Sequence, residues 1–241
     1  MKADLMAPKT RYLKLPFCFD ERRLGADLAK IREGEWIAHA NTSAYEKDWR
    51  CVPLRSVEGR SDNILSIDGV NYRDSEILSR CPYFREVIDS FQCEKTSVRL
   101  MEMGPGSTIK LHKDRGTSFE GGTARIHVPI MTAPAVLFTV EDEDVHFSVG
   151  NAWYLNASCL HGVRNESDIP RIHLMLDCVV NPWLEKIFLD SGFEPDEKPK
   201  YGDPSIDDKN VGSLIAMLLE LNTEAAREVV EKLTAIRAGQ S

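Results

Sequence analysis

His112 and Asp114 stand two residues apart, and His161 follows 49 residues after the first of them. In an extended segment, side chains at i and i+2 leave the chain on the same side. His112-Lys113-Asp114 therefore offers an imidazole and a carboxylate together, with Lys113 turned away toward solvent. Two neutral imidazoles and one carboxylate bind Fe(II) on one face and leave positions open for other ligands. An isolated His-x-Asp arises often by chance; a second histidine in a distant β-type segment gives it weight. Five of the six histidines lie between positions 112 and 173, and the competing reading is a set of buried, hydrogen-bonded imidazoles.

Arg171 comes ten residues after His161, at the head of Arg171-Ile172-His173-Leu174-Met175-Leu176. Arg125-Ile126-His127 repeats the Arg-x-His pattern. A guanidinium on the inner side of a strand needs an anionic partner, because burying it alone is costly. Each arginine thus implies either a structural salt bridge or an anionic ligand gripped bidentately.

The elements that must position these groups fall into regions. Residues 1–193 read as one domain, with an α/β flank over 1–96 and a β-rich core over 97–180. In the flank, 11–15 and 49–54 are strand candidates. A helix begins after Asp20 and stops at Gly34, and another opens at Cys81-Pro82. In the core, short β-type segments recur at 98–103, 108–112, 124–130, 135–140, 145–149, 152–155 and 171–180. Many short strands at such spacing indicate a sandwich or barrel. Asn181-Pro182 starts a helix, 194–209 is a Pro-rich charged linker, and 210–241 holds amphipathic helices expected to pack or to form a homodimer.

The 241 residues carry 30 basic and 38 acidic side chains, a net charge of −8. No nucleic-acid partner is expected, because that affinity comes largely from clustered Lys and Arg. No run of about 18 apolar residues exists, so no membrane-spanning helix is expected. Six scattered cysteines without a CxxC pair read as reduced thiols, and a cytoplasmic location is expected.

On several of these residues the chain resembles the aspartyl/asparaginyl β-hydroxylase-like Fe(II)- and 2-oxoglutarate-dependent oxygenases, a group that includes bacterial proline hydroxylases. They are His112-Lys113-Asp114, Ala124-Arg125-Ile126-His127-Val128, the stretch from Gly150 through Trp153 and Ser158 to His161, and Arg171-Ile172-His173-Leu174 with Asp177. Gly106 with His112, and His161 with Asn165, look like pieces of the two cupin motifs. The resemblance implies a mainly β fold with flanking helices, a double-stranded β-helix or cupin-like jelly roll. It implies His112, Asp114 and His161 as iron ligands, and Arg171 on the C5 carboxylate of 2-oxoglutarate. It also puts His127 near the metal-proximal end of that co-substrate and Arg125 near co-substrate or substrate. Fe(II), 2-oxoglutarate and O2 are the implied cofactors, and decarboxylation to succinate accompanies hydroxylation. Asn156 stands where relatives often have Asp.

The implied substrate is a free amino acid or an amino-acid residue in a peptide or protein. Trp36, His39, Asn41, Trp49 and Arg55 are candidates for its wall, and Arg115 for the pocket mouth. A non-catalytic cupin-like metal- or ligand-binding module is the alternative, and Arg171 argues against it, since such a module has no use for a carboxylate clamp. A zinc hydrolase would need a general base, and no HExxH signature is present.

Overall fold

Apolar residues alternate along the central strands, and on β13 (Arg171–Val179) Ile172, Leu174 and Leu176 fall on one face while Arg171, His173, Met175 and Asp177 fall on the other. A strand buried on both sides is the expected result, and eight of its nine residues are buried. The computed structural model describes residues 8–67, 69–114, 116–196, 200–203 and 205–239. Before β13 come β1 (Tyr12–Cys18), α1 (Glu21–Leu28), β2 (Ile37–Ala38), β3 (Tyr45–Glu46), β4 (Trp49–Val57), β5 (Tyr72–Asp74), α2 (Pro82–Ser90) and β6 (Lys95–Met103). They are followed by β7 (Thr108–His112), β8 (Thr123–Met131), β9 (Val136–Val140), β10 (Glu143–Val145), β11 (Asn151–Leu155) and β12 (His161–Asn165). After β13 come α3 (Pro182–Asp190), α4 (Val211–Leu221) and α5 (Glu224–Arg237).

The major sheet runs β1-β11-β8-β13-β6-β4-β2, with β5 on β4, and the minor sheet runs β10-β9-β12-β7-β3. Neighbours are antiparallel throughout. This is a double-stranded β-helix. The outer face of the major sheet carries Val52, Leu100, Ile126, Tyr154 and Leu174, packed against Leu24 of α1, Phe84 of α2 and Phe188 of α3. Between the sheets a second core gathers Met101, Met103, Ile109, Phe138, Val163 and Met175. Helices therefore seal one face, and the inner face is left for the site.

Helix α2 starts at Pro82 without a local side-chain cap. Asp27 of α1 supplies one, accepting from the Tyr83 and Phe84 amides at 2.7 and 2.9 Å while it is 2% exposed. Asp27→Ala should leave two buried amides unpaired, at a cost of about 1–3 kcal/mol by chemical denaturation. An unchanged midpoint would deny the cap its role.

The structure corrects several sequence expectations. Helix α1 ends at Leu28, because the next residues close i→i−3 bonds (Lys30 to Asp27 and Ile31 to Leu28, both 3.0 Å), and Gly34 sits in a separate 3₁₀ turn. The segment 145–149 is not a strand beyond Val145. There His146 bonds the Val136 carbonyl, and Phe147 leaves the ladder to stack on Phe138 and Trp153. Strand β12 was not anticipated, since His-Gly-Val-Arg-Asn has little β propensity. Its place between β9 and β7 makes it a strand, and Gly162 is required there: a Cβ would lie 2.8 Å from the Ile109 carbonyl.

Residues 7–195 form one compact unit, and the chain from Asp196 onward belongs to another. In the latter, α4 and α5 pair around Tyr201, Val211 and Leu233, with Asn222 in the left-handed conformation ending α4 and Thr223 capping α5. The 194–209 segment expected as a linker thus contributes the buried Tyr201 to this small core. Among the described residues no helix is long and apolar enough to cross a membrane, and all six cysteines are free thiols.

Candidate active site

Because β7 and β12 pair with His112 opposite His161, two imidazoles far apart in sequence meet at the end of the minor sheet, their ring centroids 4.3 Å apart. Asp114 lies just past β7, its amide held by the Ala157 carbonyl at 2.8 Å. One potential ligand atom from each of the three lies within 4.8 Å of the others. The rings are oriented from behind. His112 Nδ1 is 2.8 Å from the Lys110 carbonyl and His161 Nδ1 is 3.0 Å from the Cys159 carbonyl. A carbonyl only accepts, so both Nδ1 atoms carry the hydrogen and both Nε2 lone pairs are free for a metal. Burial pushes the His161 pKa down to about 4, which keeps that ligand unprotonated. Burial works against the Asp114 charge, but Arg125 beside it prevails and holds the carboxyl below its usual range.

These residues open onto a cavity of about 500 Å³ between the sheets. Arg171, at its inner end, is 2% exposed. Its guanidinium carbon sits 4.9 Å from the Phe138 ring centroid, its Nε has no hydrogen bond, and among the described residues it forms no ion pair. Burial pushes its pKa down to about 9. A buried cation without a counter-charge is a strong statement of demand for an anion. A dicarboxylate chelated by a metal at the triad meets that demand, so the residues present fit Fe(II) with 2-oxoglutarate.

Arg125 has the same local sequence pattern and a different fate. Its Nε donates to Asp177 Oδ1 at 2.8 Å, its Nη2 lies 3.3 Å from Asp177 Oδ2, and its Nη1 is bound to Asp114. Asp177 also takes Arg99 Nη2 at 3.3 Å. Burial opposes the Arg125 charge, yet Asp177 and Asp114 raise its pKa above the ordinary arginine value. Arg125 is therefore committed first to salt bridges, unlike Arg171. Arg99 was overlooked, although a lone arginine on the inner side of the apolar run Val98–Met103 carried the same signal as the other two. His127 lines the cavity, 4% exposed.

Of the proposed wall residues, His39, Asn41 and Trp49 line the cavity, with His39 stacked on Trp49 at 3.5 Å between centroids. Trp36 instead packs on the outer core beneath Arg50. Arg55 is tied to the Lys95 carbonyl, Asp74 and the Tyr72 carbonyl on the flank, because position 55 lies past the irregular register between Pro53 and Arg55. Arg115 lies outside the described residues. Lys113 faces Glu141 at 3.7 Å and is half exposed, although it reaches the cavity rim. Asn156 accepts from the Ser158 amide and hydroxyl, so it shapes the turn before His161.

Burial, with Arg99 nearby, pushes the His39 pKa down to about 4, where His161 also lies, from an ordinary value of 6.5. Between those values the unfolded chain binds more protons than the folded one, so stability rises with pH there. In chelator-treated protein the denaturation midpoint should fall as the pH is lowered from 6.5 toward 4. A flat profile across that window would mean that these imidazoles are well solvated.

Residues 20–181 match the family described as Aspartyl/Asparaginyl beta-hydroxylase. The chain is 26% identical over 220 residues to the L-proline cis-4-hydroxylase of Rhizobium meliloti (strain 1021), covering 89% of this chain and 78% of that protein. It is 23% identical over 198 residues to L-proline cis-3-hydroxylase 1 of a Streptomyces species, covering 78% of this chain and 62% of the relative. The crystal structure of a Pseudomonas putida prolyl-4-hydroxylase superposes with a TM-score of 0.46 at 12% identity, over 72% of this chain and 95% of that one. With the matched span reaching from the start of α1 to the end of the jelly roll, the chain belongs to the aspartyl/asparaginyl β-hydroxylase family.

Proposed function

We propose that this 2-oxoglutarate-dependent hydroxylase acts on a free amino acid recognised by its carboxylate, with His112, Asp114 and His161 holding Fe(II) and Arg171 holding the far carboxylate of 2-oxoglutarate. The observation that carries this reading is the pairing of the metal-ligand set with an unpartnered guanidinium in one cavity. When bound, Fe(II) with 2-oxoglutarate supplies the O2 activation that couples decarboxylation to succinate with insertion of one oxygen atom into a substrate C–H bond. The chain's own residues orient and exclude. The Lys110 and Cys159 carbonyls aim the imidazoles, and Phe138, Ile109 and Val163 keep water from the inner cavity. His127 lines the same cavity, and to it we assign the metal-proximal end of 2-oxoglutarate.

Charge supports the substrate class. Arg99 and Arg125 share the single carboxylate Asp177, and Asp114 shares its own charge with Arg125. An Asp114 committed to a metal has less charge to lend, so this cluster keeps a surplus positive charge in the cavity, suited to an amino-acid carboxylate. L-Proline is the substrate in the names of the curated relatives, and it heads the test.

Succinate release from 2-oxoglutarate with Fe(II) and O2 is to be followed across free amino acids, beginning with L-proline and L-pipecolate, beside their carboxamides and short peptides. Stimulation by a free acid and not by its carboxamide is expected. Stimulation by peptides or amides alone overturns the free-amino-acid reading.

A further inference from the structure

His173 is fully buried, lies two residues after Arg171 on the inner face of β13, and does not line the cavity. The mechanism above leaves it without a task. Its ring stacks on Phe138, 5.6 Å between centroids, and meets His127 nearly edge to face at 74°. The two Nδ1 atoms face each other at 3.5 Å, and each Nε2 is buried without a hydrogen-bond partner among the described residues.

We infer that His173 sets the tautomer of His127, donating its Nδ1–H to His127 Nδ1 so that His127 carries its own hydrogen on Nε2 as a donor toward bound 2-oxoglutarate. His173 is then a positioning residue, acting only through His127, and the inference rests on the reading of this cavity as the co-substrate site. The chemistry of a neutral imidazole forces a choice: it has one N–H and one lone pair, and a facing Nδ1 pair needs one of each. Burial, reinforced by the positive charge of Arg171, pushes both pKa values well below 6.5, so both rings are neutral. In the opposite arrangement His127 would donate from Nδ1 and keep a lone pair on Nε2, the atom that the inference assigns to the co-substrate. A lone pair facing a carboxylate oxygen repels it, whereas an N–H binds it.

The test reads the tautomer directly. Long-range 15N–1H spectra of the chelator-treated full chain, assigned with a His127→Gln variant, should show wild-type His127 protonated at Nε2 and His173 at Nδ1. In His173→Leu the His127 preference should be lost. In His173→Asn, whose amide N–H takes the place of Nδ1–H, it should return. Anaerobic calorimetry on the Fe(II)-loaded protein should show 2-oxoglutarate binding weakened about 10-fold in the Leu variant, about one hydrogen bond's worth, and restored to within about 3-fold in the Asn variant. Wild-type His127 protonated at Nδ1 overturns the inference whatever the variants do, as does a Leu variant with tautomer and affinity unchanged. Should wild-type protein bind no 2-oxoglutarate, the co-substrate reading fails, and the spectra still decide the tautomer.

Discussion

His161→Ala should abolish turnover, with Fe(II)-dependent succinate formation falling at least about 100-fold, since even loss of a residue supporting a metal ligand commonly costs 10- to 100-fold. The imidazole is 5% exposed, opposes His112 across the β7–β12 ladder, and has its Nδ1 tied to the Cys159 carbonyl. Without it one imidazole and one carboxylate remain, and the carboxylate already bonds Arg125. A metal titration monitored alongside turnover should show Fe(II) affinity lost in parallel, with the far-UV spectrum unchanged. His146→Ala is the matched control. That ring bonds the Val136 carbonyl and is absent from the cavity lining, so activity should survive. A His161→Ala protein retaining a tenth of wild-type turnover would remove this residue from the metal set.

Replacing Arg171 with Met should have two effects of opposite sign. The 2-oxoglutarate concentration needed for half-maximal turnover should rise by at least about 30-fold, because truncating one side of a buried charge pair costs roughly 2–5 kcal/mol. In protein free of co-substrate the same change should raise the unfolding midpoint. It removes a guanidinium that is 2% exposed and has no ion pair among the described residues, and methionine fills similar space beside Phe138. Wild-type protein should gain thermal stability when 2-oxoglutarate and metal are added, and the Met variant should not. Destabilisation of the unliganded variant, or an unchanged co-substrate requirement, would show that Arg171 has a structural partner instead.

The Arg99–Asp177–Arg125 cluster shows what kind of information local sequence carries. Arg125 and Arg171 occupy the same Arg-Ile-His pattern, and both are inward by strand alternation, which the residues alone make plain. Whether each arginine is already satisfied depends on the neighbouring strand. In the β8–β13 ladder Arg125 stands directly opposite Asp177, whereas Arg171 stands opposite Met103 of β6. One register pair supplies a counter-charge and the other a thioether. Nothing within either segment encodes that difference.

The metal set divides the same way. Residue types and the two-residue spacing of His112 and Asp114 were legible, because a short extended segment has a period that sequence displays directly. So was a sandwich or barrel, from many short strands between glycine- and proline-bearing turns, whereas the jelly roll was implied by the family resemblance. Strand β12 was not legible, since its sequence is a poor strand former made extended by pairing on both edges, with Gly162 lacking the Cβ that would meet Ile109. The sequence by itself thus determined which side chains are offered, and on which side of their strands. Only the tertiary structure decided which of them meet and which cation is left without a partner, because ladder register and the charge on an adjacent strand arise between segments far apart in the chain.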